Sequence, residues 1–357
     1  MIVRGSGLDN PQKILVRTPN WVGDAVISLP ALEALRARFP KAEIVLATKP
    51  WVSEVYRRHP AVSRQMIFDP RGGPKGIRGF YRFVRALRDE RFDAAVLFQN
   101  AFHAAWMARS ARIPLRFGYA RDGRGWLLTH PVEAPPAAAY GHQVYYYLHL
   151  LFRAGLISRF DPVPAIHLQL AADERLWAAK YLEALGLSGP RFLVGLNPGG
   201  FHGPAKRWLP ERYAALADRL IGSLHADVLI FDARAEKSLA EEIARVMKHT
   251  PVIVESQVSL RQLMSLLGAC RLVVSNDSGP MHLAAALGVP VVSIFGSTDA
   301  RATGPVGPHT RVVRQRVPCS PCWLRECPID FRCMRGVTVE AAYQAVVDLI
   351  EEVGCYP

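Results

Sequence analysis

The chain has 357 residues, half of them hydrophobic and 21% charged, with a formal net charge of +13. Its length predicts two domains rather than one core, and its composition excludes a disordered or collagen-like chain. Its charge predicts an anionic partner: nucleic acid, acidic lipid or a phosphorylated substrate. In chain order, Lys13–Arg17 predicts a strand, and Asp24–Phe39 a helix with Ile27, Ala31, Leu35 and Phe39 at helical spacing. Glu43–Thr48 (strand), Trp51–Arg58 (helix), Gln65–Phe68 (short strand), Phe80–Glu90 (helix) and Asp93–Leu97 (strand) follow. Pro131–Ala138 reads as a loop, Tyr145–Leu156 as an apolar helix, and Asp161, Pro162 and Pro164 as a linker. A second series runs through Phe192–Leu196 (strand), Glu211–Ser223 (helix), Asp227–Phe231 (strand), Ala235–Lys248 (helix) and Val252–Glu255 (strand). The strand Leu272–Ser275 then leads through a polar turn into a helix that Gly288 and Pro290 end, and another apolar strand follows. The alternation predicts an α/β chain of two mostly parallel sheets facing a cleft. The amino end lacks the apolar region of a signal peptide, and no apolar run approaches the ~18 residues that span a bilayer. Both points predict a cytoplasmic protein.

Three loops at predicted strand ends carry polar chemistry, where open parallel sheets bind ligands. Asn276-Asp277-Ser278-Gly279 opens a helix with Pro280 in its first turn, so free N–H groups and the helix dipole suit a phosphate. Asp277 would repel a phosphate and is assigned to neutral hydroxyls, such as those of a sugar. Asn197-Pro-Gly199-Gly200-Phe-His-Gly203-Pro-Ala-Lys206-Arg207-Trp208 brings glycines and two adjacent cations after its strand, again suiting a phosphate. It lacks the Lys-Ser/Thr step of a Walker loop, and no Gly-x-Gly-x-x-Gly lies between a strand and a helix, which argues against nicotinamide chemistry. In the first domain Thr18–Asp24 follows the first strand and sets Asp24 near a helix start, placed either to act on a substrate or to complement the dipole.

With Asn20-Trp-Val-Gly-Asp-Ala-Val-Ile-Ser-Leu-Pro30, Asn197-Pro-Gly-Gly, Gly203-Pro-Ala-Lys-Arg-Trp208, Asn276-Asp-Ser-Gly-Pro-Met-His282 and Cys319-Ser-Pro-Cys-Trp-Leu-Arg-Glu-Cys-Pro328, the chain resembles the ADP-heptose:lipopolysaccharide heptosyltransferases of glycosyltransferase family 9, the heptosyltransferase II branch above all. The resemblance implies a GT-B fold of two Rossmann-like domains, residues 1–170 binding the acceptor and 171–357 the nucleotide sugar, and leaves room for the last helix to pack back on the first domain. It implies inverting transfer of L-glycero-D-manno-heptose from ADP-heptose to the inner core of lipopolysaccharide, as the second heptose, on the cytoplasmic face of the inner membrane. By the same resemblance Asp24 is the general base and Lys206 neutralises the diphosphate; the adjacent Arg207 either helps or is a solvated surface charge. Asp277 meets the donor sugar, Ser278 and Gly279 offer amides to the phosphates, and His282 touches the diphosphate or packs in the helix. Glu236, or else Asp232, is the candidate for the ribose hydroxyls. The chain has no Asp-x-Asp, which fits catalysis without a required cofactor.

A basic stretch holds Arg57, Arg58 and Arg64, then Arg71, Lys75, Arg78, Arg82, Arg85, Arg88 and Arg91 against only Asp89 and Glu90. Toward a phosphorylated, Kdo- and heptose-bearing lipid A acceptor, Arg57, Arg58, Arg82 and Arg85 are the binding candidates. Cys319, Cys322, Cys327 and Cys333 fit a structural zinc or iron–sulfur site, or a compact loop of reduced thiols. Ile329-Asp-Phe-Arg332 stands where the family commonly has Gly-His, which removes one histidine ligand. Cys270 and Cys355 read as a packed thiol and a tail thiol. Two other readings remain at this stage: a GT-B nucleotide-sugar epimerase, and a nucleic-acid binder with a four-cysteine zinc knuckle. The second is disfavoured because the cysteines lie far from the densest arginines, so no nucleic acid is expected.

Overall fold

The strand run Lys13–Arg17 (β1) forms where the apolar stretch predicts it, and it lies in a sheet whose strands run parallel to it. The computed structural model describes residues 7–69, 76–136, 141–160, 165–187, 189, 191–200, 203–231, 237–254 and 257–355. The chain divides after Ala165 into two units. In the first unit β1 is joined by Glu43–Thr48 (β2), Arg64–Ile67 (β3), Ala94–Leu97 (β4), Leu115–Tyr119 (β5) and His130–Val132 (β6). Their order is β3-β2-β1-β4-β5-β6. The second unit repeats the plan with Leu193–Asn197 (β7), Asp227–Phe231 (β8), Val252–Val254 (β9), Leu272–Asn276 (β10), Val291–Phe295 (β11) and Thr310–Arg314 (β12), in the order β12-β11-β10-β7-β8-β9. Both are the Rossmann order, and the strand sequence reverses between β1 and β4 and between β7 and β10.

Helices cover the sheets, so the central strands read as continuous apolar runs rather than alternating ones. Leu15, Val45, Ala95 and Leu97 are buried in the first core with Leu87, Phe92 and Met107 from the covering helices and their flanks. Val194, Leu196, Ile230, Val274 and Ile294 are buried in the second with Trp208, Tyr213 and Leu216.

The expected helix Asp24–Phe39 is two helices, Val22–Ile27 and Leu29–Arg38. Pro30 has no N–H to give back to the preceding turn, and the Ser28 hydroxyl instead bonds the Ala25 carbonyl at 2.8 Å. The stretch read as a loop from Pro131 overlaps β6, whose three residues are too few for a periodic signal. Residues just after Ala165 belong with the second unit for a visible reason: Leu168 N donates to Ala286 O at 2.8 Å, and the Arg261 guanidinium holds Gln169 O at 2.9 Å. The last helix, Val339–Val353, also packs there. Ala342, Val346, Leu349 and Ile350 enter the second unit's core beside the helix Pro210–Leu224 and β12.

Candidate active site

In the second unit, β7 and β10 are neighbours and end in asparagines. Asn197 Nδ2 donates to Ser275 Oγ at 2.9 Å and to Ser278 Oγ at 2.8 Å. Asn276 Nδ2 donates to Pro198 O at 2.6 Å, and its Oδ1 accepts from Trp208 N (3.2 Å) and the Tyr213 hydroxyl (3.0 Å). Each asparagine thus ties the loop after one strand to the loop after the other. Ser278 is the residue before the helix Gly279–Ala286, but its hydroxyl turns to Asn197 and caps no N–H of that helix. No side chain caps the first turn of that helix, a condition for an anion site at a helix start.

The loop after β7 is fixed from the other side. Gly203 has φ +151°, and a Cβ there would lie 2.3 Å from the Arg325 carbonyl oxygen. Ala205 N donates to that same oxygen at 3.0 Å, and Trp208 Nε1 donates to Val337 O at 3.0 Å. The short helical turn Pro204–Lys206 then delivers Lys206 Nζ to Asp277 Oδ2 at 2.7 Å. The side chains are 15% and 5% exposed. Thr298, just after β11, donates to the same oxygen at 2.7 Å, and Thr303 reaches it at 3.5 Å. Asp277 therefore has a role the sequence reading missed: it holds Lys206 and two threonines. Thr298 lay within reach of sequence reasoning, since it lies in the loop after the strand that follows the helix Gly279–Ala286. Gly199 and Gly200 are buried in the same loop, Arg207 is half-buried and His282 is buried in the helix. Asp232 and Glu236 lie outside the described residues.

In the first unit, Asp24 sits half-buried in the first turn of the helix Val22–Ile27. The loop before it is held by Arg17, whose Nη2 donates to Asn20 Oδ1 at 2.9 Å, and by Trp51, whose Nε1 donates to Asn20 O at 2.7 Å. The Asp24 charge reaches the buried Tyr56 hydroxyl, whose pKa is raised first by burial. Arg82 and Arg85 are exposed on the helix Ile77–Asp89, whose Val84 and Leu87 are buried. Arg57 and Arg58 are exposed after a helical turn, with Arg57 Nη1 4.0 Å from Glu54. Arg64 is engaged with Glu43 at 2.5 Å and with Glu90. Among the described residues, Arg57, Arg58, Arg82 and Arg85 thus face solvent, while Arg64 pairs with two glutamates.

The four cysteines of the Cys319–Cys333 segment differ in burial. All are free thiols; Cys319 and Cys322 are exposed, Cys327 is intermediate and Cys333 is buried. Among the described residues no three His, Cys, Asp or Glu side chains are grouped to hold a metal. Burial, then the neighbouring thiols, pushes the Cys333 thiol up. What the segment supplies is backbone: Cys322 N and Trp323 N donate to Ser297 O at 3.0 and 2.8 Å, and Ser320 Oγ to Gly296 O at 2.5 Å. Through Arg325 O it buttresses the Lys206 loop.

Comparison with known proteins agrees with this geometry. Residues 80–331 match the profile of glycosyltransferase family 9 (heptosyltransferase). The chain is 32% identical to lipooligosaccharide heptosyltransferase 2 of Haemophilus ducreyi, over 85% of this chain and 88% of that one. It is 31% identical to lipopolysaccharide heptosyltransferase 2 of Escherichia coli K12, with the same coverage. The structure of E. coli ADP-heptose lps heptosyltransferase II superposes with a TM-score of 0.83 at 26% identity, covering 96% of this chain and 100% of that one. The chain is therefore a glycosyltransferase with the GT-B pair of Rossmann-like units, and it belongs to family 9, the heptosyltransferases.

Proposed function

We propose that the protein transfers heptose from ADP-heptose to the inner core of lipopolysaccharide, adding the second heptose. The acceptor hydroxyl attacks the anomeric carbon of the donor and gives its proton to Asp24. The bond from that carbon to the diphosphate oxygen breaks, and ADP leaves with the electron pair. Inversion follows because attack and departure are on opposite faces. A base of this kind contributes roughly 10²–10⁴-fold to rate.

One observation carries this reading: Lys206, fixed by Asp277 beside an uncapped helix start where the strand order reverses. A fixed cation and oriented amides stabilise charge developing on a leaving diphosphate without reorganising. Asp277 Oδ2 holds Lys206 and Thr298, and we assign its Oδ1 to a donor hydroxyl. Asn197, Gly199, Gly200, Ser278 and Gly279 complete the donor side. Arg57, Arg58, Arg82 and Arg85 support a phosphorylated, Kdo-bearing acceptor and a peripheral position at the cytoplasmic face of the inner membrane. Among the described residues no helix is long and apolar enough to cross a membrane. The test is acceptor-dependent ADP release from ADP-heptose, with UDP-sugars as controls. Release that requires a heptose-ended core acceptor supports the reading; release from UDP-sugars alone contradicts it.

A further inference from the structure

Asp277 is met from two loops, and both reach the same oxygen. Lys206 Nζ donates to its Oδ2 at 2.7 Å from the loop after β7. The Thr298 hydroxyl donates to that oxygen at 2.7 Å from the loop after β11, and Thr298 is 1% exposed. Thr303 is a weaker partner, 3.5 Å from Oδ2 and also 3.4 Å from Asp299 O. The backbone that carries Thr298 is held by contacts other than Asp277. Ser297 O accepts from Cys322 N and Trp323 N, and Gly296 O accepts from Ser320 Oγ. Among the described residues none donates to Asp277 Oδ1.

A buried carboxylate is unfavourable unless its charge is paired and hydrogen-bonded. Lys206 supplies the pairing, but the same ammonium is placed to follow the charge that grows on a departing diphosphate. A hydroxyl donating to a carboxylate makes a charge-assisted hydrogen bond, roughly twice as strong as a neutral one. Thr298 therefore keeps Asp277 compensated as Lys206 turns toward phosphate, and it brings no charge of its own. The two donors also fix the plane of the carboxylate. With Oδ2 held between Lys206 and Thr298, Asp277 does not fork both oxygens onto the ammonium, and Oδ1 stays an acceptor for a ligand hydroxyl.

We propose, on the donor reading of this unit, that Thr298 is a positioning residue for sugar recognition. By holding Asp277 Oδ2 it turns Oδ1 to a hydroxyl of the donor sugar, and so lets the site tell the intact nucleotide sugar from the spent nucleotide. ADP brings no heptose hydroxyl to Oδ1, so Thr298 contributes to binding ADP-heptose and not ADP. Lys206, which faces the diphosphate, contributes to both.

Wild type, Thr298→Val, Thr298→Ala and Thr298→Ser, all full-length, are titrated by calorimetry with ADP and with ADP-heptose, without acceptor. Valine keeps the shape and removes the hydroxyl; serine keeps the hydroxyl and removes the methyl. The affinity ratio, ADP-heptose over ADP, is expected to fall about 10-fold in Thr298→Val, the worth of one hydrogen bond to a charged group. ADP affinity is expected to stay unchanged, Thr298→Ala to match Thr298→Val, and the ratio to recover in Thr298→Ser. In transfer assays the same change is expected as a raised KM for ADP-heptose with the inhibition constant of ADP unaltered. An unchanged ratio in Thr298→Val and Thr298→Ala overturns the positioning role. Equal losses for both ligands overturn it too, and assign the residue to loop structure. Wild type that binds neither ligand overturns the donor reading itself, a result that leaves no ratio to compare.

Discussion

Lys206 Nζ lies 2.7 Å from Asp277 Oδ2, and this pair joins the glycine-rich loop after β7 to the turn that opens the helix after β10. Because both side chains are largely buried, removing either leaves the other charge uncompensated. Lys206→Ala is expected to weaken ADP binding by about 10–100-fold and to lower kcat, since a charged hydrogen bond is lost and a bare carboxylate faces the diphosphate. Adding Asp277→Asn to that variant is expected to restore part of the ADP affinity by removing the repulsion. A double-mutant cycle by calorimetry measures this coupling. Strictly additive losses contradict it.

Asp24→Asn keeps size and hydrogen bonding but removes basicity. We expect kcat to fall by roughly 10²–10⁴-fold with ADP binding unchanged. Turnover close to wild type removes Asp24 from the chemistry, and a parallel loss of ADP binding assigns it a structural role.

Two glycines of one loop are expected to fail differently. A Cβ on Gly203 meets the Arg325 carbonyl at 2.3 Å, so Gly203→Ala is expected to destabilise the protein by about 1–3 kcal/mol, the cost of overpacking, and to displace Lys206. A Cβ on Gly200 meets nothing nearer than 3.6 Å, so Gly200→Ala is expected to keep its melting temperature. If Gly200 is open for a phosphate, this variant loses ADP affinity all the same. Thermal unfolding and ADP titration of both variants separate the roles; equal behaviour contradicts the assignment.

Transfer is expected to survive EDTA. Lys206 and the uncapped helix start are placed to neutralise the departing diphosphate, and the chain has no Asp-x-Asp to hold a divalent ion. Activity abolished by chelation and restored by Mg²⁺ contradicts this. Cys322→Ser is expected to leave activity intact, because that residue contributes its backbone N–H, not its thiol, to Ser297.

Much of the plan was legible in the chain. The bounds of β1, β2 and β8 coincide with their apolar runs, and Asn197, Lys206, Asp277 and Ser278 were singled out before geometry brought them together. Their positions at strand ends followed from the alternation of elements alone. Other features depend on distant partners. Arg17 ends a predicted strand, and only the packed sheet shows that its guanidinium is buried, at 1% exposure. The cysteine spacing fitted a metal or a loop of reduced thiols, while the segment's backbone contacts to Ser297 and Ala205 carry no side-chain signature. The helices Ala172–Ala184 and Leu260–Ala269 pack on each other; both, and the edge strand β12, were passed over.

The most direct test of the central claim is mass spectrometry of a core acceptor ending in a single heptose, after incubation with ADP-heptose and the full-length protein. The account predicts an acceptor heavier by one heptosyl residue, with one ADP released per transfer and the product anomer inverted. ADP-heptose that is consumed or epimerised while the acceptor mass stays unchanged would contradict it.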